Sequence, residues 1–345
     1  MRRHEVGGFT FGFSIQKRLC CQQKEGRSVV SLQWLLIYMK STSKESTSKE
    51  STKQNSLPLA RRAPGASQPP APLGKPRQVY SRNNISIRRI RELHTRAERD
   101  RTGRFFVTGL RFLIQASQQG AKIETLIVAP ALLISIPGQR LVRKLRMQGV
   151  PCLEVPAEVL HSISLSDDPQ GVGAVIRQRW EPLPSVTQGR ELCWLALDTV
   201  QSPGNLGTIL RCCDAVGCAG VILLSPTTDP YDPATVRASM GALFAQRFIR
   251  CTPAEFAAWK QRQGCLLVGT SPHGGEDYQQ VTYAAPTVLF MGSERKGLPP
   301  EFQSLCDRMV RIPMVGTSDS LNLAIATSVM LYEVFNQRRK VIAGV

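Results

Sequence analysis

The chain has 345 residues and a mass of 38.1 kDa, enough for two ordinary domains and too much for one small module. Hydrophobic residues make up 42% of it, so a sizeable core can be buried and disorder throughout is excluded. The 44 Lys+Arg exceed the 26 Asp+Glu. The resulting formal net charge of +18 favours a polyanionic partner, nucleic acid before an anionic membrane surface.

The first 80 residues differ in composition from the rest. They carry 14 basic and 4 acidic residues, a net charge of +10, which leaves +8 for residues 81–345. Residues 41–53 repeat the pentapeptide STSKE, and residues 57–76 are rich in Pro, Ala and Arg, without apolar periodicity in either stretch. We predict that residues 1–80 are a disordered, basic, low-complexity leader. A linker without function is favoured over an RNA-tethering tail, while a transit peptide and a misassigned start codon stay open.

The sequence predicts a cytoplasmic protein without a membrane span or a metal site. No apolar run reaches the ~18 residues that a transmembrane helix needs. The apolar residues 29–39 follow a basic stretch, but Lys40 ends them and no small-residue cleavage site follows, which disfavours a secretory signal. The ten cysteines include no CxxC pair, and no histidine lies in a cysteine-rich ligand set, so reduced, mostly buried thiols are expected.

From residue 84 onward, apolar residues recur at the spacings of helices and strands. Ile85, Ile87, Ile90 and Leu93 predict a first helix. The elements predicted after it are strands at residues 104–108, 124–129, 152–155 and 172–177, and helices at residues 110–119, 138–148 and 157–163. This alternation predicts a small α/β domain over residues 84–178, followed by a linker at residues 179–190.

An arginine-rich stretch begins this domain. Its members are Arg88, Arg89, Arg91, Arg96, Arg99, Arg101 and Arg104. Because they outnumber the nearby acids, they predict contacts with nucleic-acid phosphates. The alternative is a solvated helix face on which they pair with Glu92, Glu98 and Asp100.

Residues 191–345 predict a second, larger α/β domain. The predicted strands are residues 192–197, 220–224, 247–251, 265–270, 287–291 and 309–312, and the predicted helices are residues 205–216, 233–244, 254–262, 301–306 and 321–337. The first strand is apolar throughout, as in a parallel strand that is buried on both faces. The pattern predicts an open, mostly parallel sheet with helices on both sides.

Ligands of such sheets bind beyond the carboxyl ends of the strands, where three loops have unusual compositions. In residues 197–211, Pro203-Gly204 forces a turn and Asn205 is suited to cap the next helix. Arg211 lies within two turns of it, and its apolar neighbours predict a covered site, although a surface arginine is the alternative.

The second and third loops add a carboxylate and polar helix-opening residues. In residues 290–300, Gly292 and Gly297 flank Glu294, but the Lys-Ser/Thr of a phosphate-binding loop is missing. In residues 312–333, Ser320 and Asn322 open the final helix, so backbone N–H groups face the cleft. Each of these residues alone is equally consistent with a plain cap.

In this order, the three loops resemble the three motifs of the SpoU/TrmH family of RNA 2′-O-ribose methyltransferases, in the SPOUT superfamily. The matching residues are Asn205, Gly207 and Arg211; Gly292, Glu294, Gly297 and Leu298; and Ile312, Pro313, Met314, Ser320, Leu321 and Asn322. Residues 229–244, with Arg237 and Ser239, are also similar to that family. Residues 84–178, notably RTGRFFVTGLR and LSDDPQGVGAVI, resemble its RNA-binding N-terminal domain.

The resemblance implies an S-adenosylmethionine-dependent enzyme with a deep trefoil knot in its C-terminal domain and a homodimer that completes the active site. It implies a catalytic set of Asn205, Arg211, Glu294, Ser320 and Asn322. It implies cofactor contacts from Thr270, Gly292, Ile312, Met314 and Leu321. The basic stretch and the family-like segment 229–244 together predict RNA contacts from Arg88, Arg89, Arg96, Arg104 and Arg237. No metal is implied, and ribosomal RNA is favoured over transfer RNA as the substrate.

Two departures from the family pattern and two other functions accompany this interpretation. Arg295 stands where glycine is usual after the motif glutamate, and Cys212-Cys213 follow Arg211 where small or hydroxyl residues are common. A catalytically inactive RNA-binding or ribosome-assembly factor of the same fold stays open. An unrelated dinucleotide-dependent enzyme is disfavoured, because no GxGxxG follows the first strand.

Overall fold

The structure is a computed structural model that describes residues 75–186, 192–225, 228–284 and 286–343. All but the last six residues of the predicted leader, and residues 187–190 of the predicted linker, lie outside the described residues. All of the described residues belong to one compact unit. Within that unit the described residues build two β-sheets.

The first sheet is mixed and has five strands. In chain order they are β1 (Arg77–Gln78), β2 (Arg104–Thr108), β3 (Ile123–Val128), β4 (Cys152–Glu154) and β5 (Val172–Arg177), arranged as β1-β4-β3-β5-β2. β1, β4 and β3 are parallel, and β5 pairs antiparallel with β3 and β2. The four strands predicted in this region are confirmed to within one residue, whereas the two-residue edge strand β1 was not predicted.

Five helices cover this sheet. They are α1 (Ile85–Glu92), α2 (Arg96–Thr102), α3 (Leu110–Gln118), α4 (Ile136–Met147) and α5 (Ala157–His161). Asn84 caps α1 by accepting a hydrogen bond from the N–H of Ser86 at 2.9 Å. Ile87 and Ile90 are buried, but Ile85 is 54% exposed, because residues two apart on a helix face nearly opposite directions. Helix α2 was not predicted as an element.

The second sheet has seven strands, and every neighbouring pair is parallel. In chain order they are β6 (Trp194–Leu197), β7 (Gly220–Leu223), β8 (Phe248–Arg250), β9 (Leu266–Thr270), β10 (Glu276–Asp277), β11 (Thr287–Met291) and β12 (Arg308–Arg311). Their order across the sheet is β10-β12-β9-β11-β6-β7-β8. β6, β7 and β11 are buried along their whole length, as their continuous apolar sequences predict. The predicted parallel α/β fold is therefore confirmed.

Helices α6 (Pro203–Val216), α7 (Pro233–Ala238), α8 (Pro253–Arg262), α9 (Pro300–Gln303) and α10 (Leu323–Ala343) accompany this sheet. The single helix predicted over residues 233–244 is wrong. Met240 and Gly241 have φ angles of +54° and +98°, which a right-handed helix cannot accommodate, and a 3₁₀ turn follows at Ala242–Ala245. The chain therefore ends α7 after six residues.

Polar and aromatic contacts join the two sheets. The Arg99 guanidinium, on α2, forms an ion pair of 2.7 Å with Asp229, which precedes α7. Trp180 follows β5, and its ring lies 5.4 Å from that of Tyr231 and 6.2 Å from that of Phe248. The segment that connects the sheets is thus packed against the second sheet where it is described.

Metal-binding groups, disulfide bonds and membrane-spanning helices were searched for among the described residues. No three His, Cys, Asp or Glu side chains meet there as a metal-binding group. The eight described cysteines are free thiols. No described helix combines the length and hydropathy of a membrane span. The predicted trefoil knot is not tested by the strand order and stays a prediction.

Candidate active site

A tight loop after β11 presents Glu294. Ser293 and Gly297 exchange two backbone hydrogen bonds of 3.0 Å, which close the loop. Gly297 has a φ of +64°, a left-handed conformation that glycine adopts without steric cost. The half-buried Glu294 is thereby held beyond the carboxyl end of a central strand, next to the start of α6.

The Glu294 carboxylate accepts three hydrogen bonds from the start of α6. Oε2 accepts from the N–H of Gln201 at 2.9 Å, and Oε1 accepts from the N–H of Ser202 at 3.3 Å. Oε1 also accepts from Nδ2 of Asn205 at 2.9 Å. The positive end of the helix dipole adds a favourable interaction with this charge. Two of the predicted catalytic residues are therefore in direct contact.

Asn205 does not cap its helix. α6 begins at Pro203, and the Ser202 hydroxyl caps it by accepting from the N–H of Asn205 at 3.4 Å. The Asn205 side chain instead connects two loops: its Nδ2 donates to Glu294, and its Oδ1 accepts from Nδ2 of Asn322 at 3.1 Å. The capping alternative for Asn205 is thus wrong.

Asn322 completes a chain of three side chains. While its Nδ2 donates to Asn205, its Oδ1 caps α10 by accepting from the N–H of Ala324 at 2.9 Å. Here the capping interpretation and the site interpretation both hold. The resulting Glu294–Asn205–Asn322 chain joins the three loops that sequence analysis singled out.

A cavity of about 410 Å³ opens beside this chain, a size typical of small-molecule sites. It is lined by all five residues predicted to hold the cofactor, namely Thr270, Gly292, Ile312, Met314 and Leu321. Glu294 and Ser320 line it as well, and so do Arg295 and Lys296, which sequence analysis did not assign to a cofactor site. We name it the cofactor cavity.

A second cavity of about 480 Å³ adjoins the first. Asn205 and Asn322 line only this second cavity, whereas Glu294 and Ser320 line both. Four of the five predicted catalytic residues therefore surround one space beside the cofactor cavity. Because the two cavities share these lining residues, a small ligand in one cavity and a reacting group in the other would lie next to each other.

Arg211 lies outside both cavities and is exposed. The prediction of a covered site is wrong for the single chain, because Ile209, Leu210 and Cys213 point into the core while Arg211 occupies the opposite face of α6. None of the residues described in the structure pairs with its guanidinium. The structure therefore brings Asn205, Glu294, Ser320 and Asn322 together and leaves Arg211 apart.

Three of the arginines predicted to bind RNA lie on the first two helices. Arg88 and Arg89 are exposed on α1. Arg96, on α2, forms an ion pair with Asp100 at 3.2 Å, which agrees with the alternative of a paired helix face. The adjacent arginines of this stretch thus have different surroundings.

The other two predicted RNA-binding arginines also have protein partners. Arg104 pairs with Glu124, which Arg177 contacts as well at 2.8 Å. Burial raises the pKa of Glu124, but hydrogen bonds from these two arginines outweigh burial and hold that pKa below its ordinary value. Arg237 donates to the carbonyl of Leu165 at 2.9 Å and so joins the two sheets.

Gly292 is the tightest point of the cofactor cavity. A Cβ atom there would lie 2.0 Å from the carbonyl carbon of Gly297 and 2.2 Å from the nitrogen of Leu298, so no side chain fits. Only glycine lets the two ends of the Glu294 loop approach this closely.

We expect Gly292→Ala to lower the affinity for S-adenosylmethionine by about 5- to 150-fold. The clash would open the loop at a cost of about 1–3 kcal/mol. Isothermal titration calorimetry measures the change. Gly264→Ala is the matched control, since no atom lies within 4 Å of the added Cβ. Equal affinities of the two variants would contradict this role of Gly292.

Comparison with known proteins now identifies the family. A model of the SpoU rRNA methylase family matches residues 193–332, and a model of an MRM3-like substrate-binding domain matches residues 84–174. A 23S rRNA uridine 2′-O-methyltransferase from Streptomyces viridochromogenes is 32% identical over 268 residues, which are 76% of this chain and 93% of that protein. The chain belongs to the SpoU rRNA methylase family.

Two further similar proteins agree with this assignment. A 23S rRNA guanosine 2′-O-methyltransferase from Bacillus subtilis is 25% identical, over 74% of this chain and 98% of its own length. A crystal structure of an rRNA methyltransferase from Sinorhizobium meliloti with bound S-adenosylmethionine has a TM-score of 0.70 and 39% identity, and covers 76% of this chain and 98% of that chain. The likeness therefore extends over both sheets.

Proposed function

We propose that this SpoU-family protein transfers a methyl group from S-adenosylmethionine to a ribose 2′-hydroxyl of structured RNA. The observation that carries the proposal is the Glu294–Asn205–Asn322 chain, which lies where two cavities share a wall. Ribosomal RNA is favoured over transfer RNA, because the relatives from Streptomyces viridochromogenes and Bacillus subtilis, which align along most of their length, are named for 23S rRNA.

The residues of the cofactor cavity suit S-adenosylmethionine. Ile312, Met314 and Leu321 offer an apolar surface for a ring system, and Gly292 brings the backbone close to a ligand. Thr270 and the loop residue Arg295 add polar groups to the lining of this cavity. When bound, the cofactor supplies a methyl carbon attached to a positively charged sulfur.

The protein's own residues position the ribose and increase the nucleophilicity of its 2′-hydroxyl. Glu294, fixed by three hydrogen bonds, orients Asn205, and Asn205 orients Asn322. A guanidinium donates hydrogen bonds and cannot accept the hydroxyl proton, so we assign Arg211 the stabilisation of negative charge that develops on the ribose oxygen. The proton then goes to a phosphate or to water.

This role requires Arg211 to reach a site in a second subunit, and we propose a homodimer. The surface around Arg211 supports it: α6 packs against α10 through a 2.9 Å contact of Cys212 with Ser328, and α10 exposes Ile325 and Tyr332 one above the other on one face. Exposed apolar residues at helical spacing are typical of subunit interfaces.

We expect Arg211→Ala to abolish methyl transfer while the affinity for S-adenosylmethionine stays within about twofold, because Arg211 lies outside the cofactor cavity. Labelled cofactor and ribosomal RNA measure the transfer, and ribose mapping identifies the 2′-oxygen. Arg262→Ala, on the exposed face of α8, is the control. Full activity of Arg211→Ala would remove Arg211 from the mechanism, and no ribose methylation by folded, cofactor-binding wild type would contradict the proposed function.

Mixed dimers test the shared site directly. Arg211→Ala subunits, expected to be inactive alone, and Glu294→Gln subunits, expected to have strongly reduced activity alone, are expected to regain part of the activity when they are co-expressed, since one of the two sites in the mixed dimer then contains both native residues. Absence of recovery in a purified mixed dimer would place Arg211 and Glu294 in the same subunit's site.

We also propose a role for each of the two sequence regions and a cellular compartment for the protein. Residues 84–178 would bind RNA and residues 191–345, with the trefoil knot, would carry the reaction; the matches to residues 84–174 and 193–332 support this division. The free thiols support a reducing compartment such as the cytoplasm.

A further inference from the structure

A long groove crosses the first sheet, and none of its lining residues lines the two active-site cavities. It has a volume of about 1180 Å³ and is lined by residues of all five strands, from Arg77 on β1 to Arg104 on β2. It lies at the ends where β3 and β4 begin, since Glu124, Thr125 and Cys152 line it. Helices α1 and α2 form its other wall. Five strands about 4.8 Å apart make it about 19 Å long.

The charges along this groove are strongly unbalanced. Its basic residues are Lys75, Arg77, Arg89, Arg101, Arg104 and Arg146, and its acidic residues are Glu98 and Glu124. Both acids are engaged by protein partners: Glu98 holds Arg101 through hydrogen bonds of 2.6 and 2.8 Å, and Glu124 holds Arg104 and Arg177. The groove therefore carries a net positive charge that its own carboxylates do not cancel.

Three of these cations are exposed and form no ion pair or side-chain hydrogen bond with the described residues: Lys75, Arg77 and Arg89. The charge of Arg89 acts on Glu98 only as an addition to the hydrogen bonds from Arg101, which hold the pKa of that carboxyl below its ordinary value. The three cations lie on two neighbouring elements, the β1 edge and α1, so their charges face one space. A nucleic-acid strand with stacked bases carries one phosphate per ~3.4 Å, so about 19 Å of it would present five or six phosphates. Length and charge thus both match a polynucleotide backbone.

The residues that line the groove argue against recognition of individual bases. It includes no Phe, Tyr, Trp or His side chain, and base stacking on proteins depends mainly on such rings. Of its apolar members, Ile90, Leu93, Leu153 and Val175 are more than 90% buried, and the more exposed Val150 and Pro151 carry no aromatic ring. Contacts with phosphates hold and orient a nucleic acid without selecting its sequence.

We propose that this groove binds the sugar-phosphate backbone of the RNA substrate, independently of its sequence, through Lys75, Arg77 and Arg89. The inference rests on the proposed function for its ligand and adds the location and the mode of binding. It changes the predicted RNA contacts: of the five arginines predicted to contact RNA, Arg89 and Arg104 line the groove, and Arg88, Arg96 and Arg237 do not.

Arg88 provides a matched control, because it lies next to Arg89 on α1 and is also exposed but does not line the groove. The groove variant is Arg77→Gln/Arg89→Gln, and the control variant is Arg82→Gln/Arg88→Gln, which removes two exposed charges from the same segment. A second groove variant, Lys75→Gln/Arg89→Gln, guards against a local folding defect. Cofactor affinity and thermal unfolding verify that each variant is folded.

RNA affinity is measured over a range of salt concentrations with two structured RNAs of unrelated sequence and with total ribosomal RNA. We expect both groove variants to bind at least about tenfold more weakly, equally for all RNAs, and the slope of log K against log salt to decrease by about 1.5. The control variant is expected to bind within about twofold of wild type. In methyl transfer, KM for RNA increases while kcat is retained.

Three results would overturn the inference. Equal weakening by groove and control variants would indicate only a general charge effect, unchanged binding by the groove variants would exclude the groove, and weakening for one RNA sequence alone would contradict backbone recognition. Failure of the proposed function is distinguishable: the wild type would then bind RNA through the groove and transfer no methyl group.

Discussion

Replacing Glu294 by glutamine is expected to lower kcat/KM for RNA by about 10- to 150-fold, mainly through kcat. Three donors converge on this carboxylate: the N–H groups of Gln201 and Ser202 and the Nδ2 of Asn205. The amide of glutamine has one oxygen, so its NH₂ group would face at least one of those donors. Hydrogen bonds to a charged group are worth about 1.5–3 kcal/mol each, which corresponds to the stated range.

The substitution keeps the shape of the side chain, so the cofactor cavity is preserved and S-adenosylmethionine affinity reports on folding. Steady-state kinetics with saturating cofactor measure the loss. Glu301→Gln is the control, because Glu301 is exposed on α9 and lines neither cavity. Wild-type kcat for Glu294→Gln would show that the Glu294–Asn205–Asn322 chain does not support the reaction.

The strands were predictable because their apolar runs are local signals. β6, β7 and β11 are buried on both faces, and such strands have continuous apolar sequences. The short edge strands β1 and β10 have two residues each, too few for any periodic pattern. The break after α7 depends on two residues with positive φ, of which Met240 carries no sequence signal.

The candidate site was predictable as a set of three loops but not as a geometry. The order of the motifs identified Asn205, Glu294 and Asn322, yet local propensity favoured Asn205 as a helix cap. Its actual partners lie 89 and 117 residues away, and such contacts leave no trace in local spacing. The same limit explains why Arg211 was expected to be covered: a helical repeat predicts which face is apolar only when the packing of that helix is known.

Arg99 is the clearest case of a residue whose role depends on distant partners. In the sequence it is one of seven arginines in a basic stretch, yet in the structure it is 1% exposed. Its Nε and Nη2 donate to one carboxylate oxygen of Asp229 at 3.1 and 2.7 Å. Its Nη1 donates to the carbonyls of Leu93 and His94 at 3.0 and 2.7 Å. Asp229 lies 130 residues away, which no pattern in residues 88–104 indicates.

We expect Arg99→Met to lower the free energy of unfolding by about 3–5 kcal/mol. Methionine fills much of the volume, but it leaves the Asp229 carboxylate, itself 8% exposed, without its counter-charge. Chemical denaturation measures the change. Arg96→Met is the matched control: it lies on the same helix and pairs with Asp100, but both side chains are about one-third exposed, so at most about 1 kcal/mol is expected.

A double-mutant cycle separates the ion pair from the loss of packing. In Arg99→Met/Asp229→Asn this buried ion pair is absent. The N–H of Tyr231 donates to Oδ1 of Asp229 at 2.9 Å in the native protein, and the oxygen of the asparagine can still accept this hydrogen bond. The double variant should therefore be less destabilised than the sum of the single variants by about 1–3 kcal/mol. Strict additivity would mean that Arg99 stabilises through its carbonyl contacts and its volume alone.

The same ion pair connects the first sheet to the helix that carries Asn205. Asp229 precedes α7, and α7 packs so closely on α6 that a Cβ at Gly207 would lie 2.4 Å from that of Ala238. Loss of the Arg99 contact should therefore raise KM for RNA in protein that is still folded, since the groove and the active site would no longer be held in register. An unchanged KM, together with the expected loss of stability, would restrict Arg99 to a structural role.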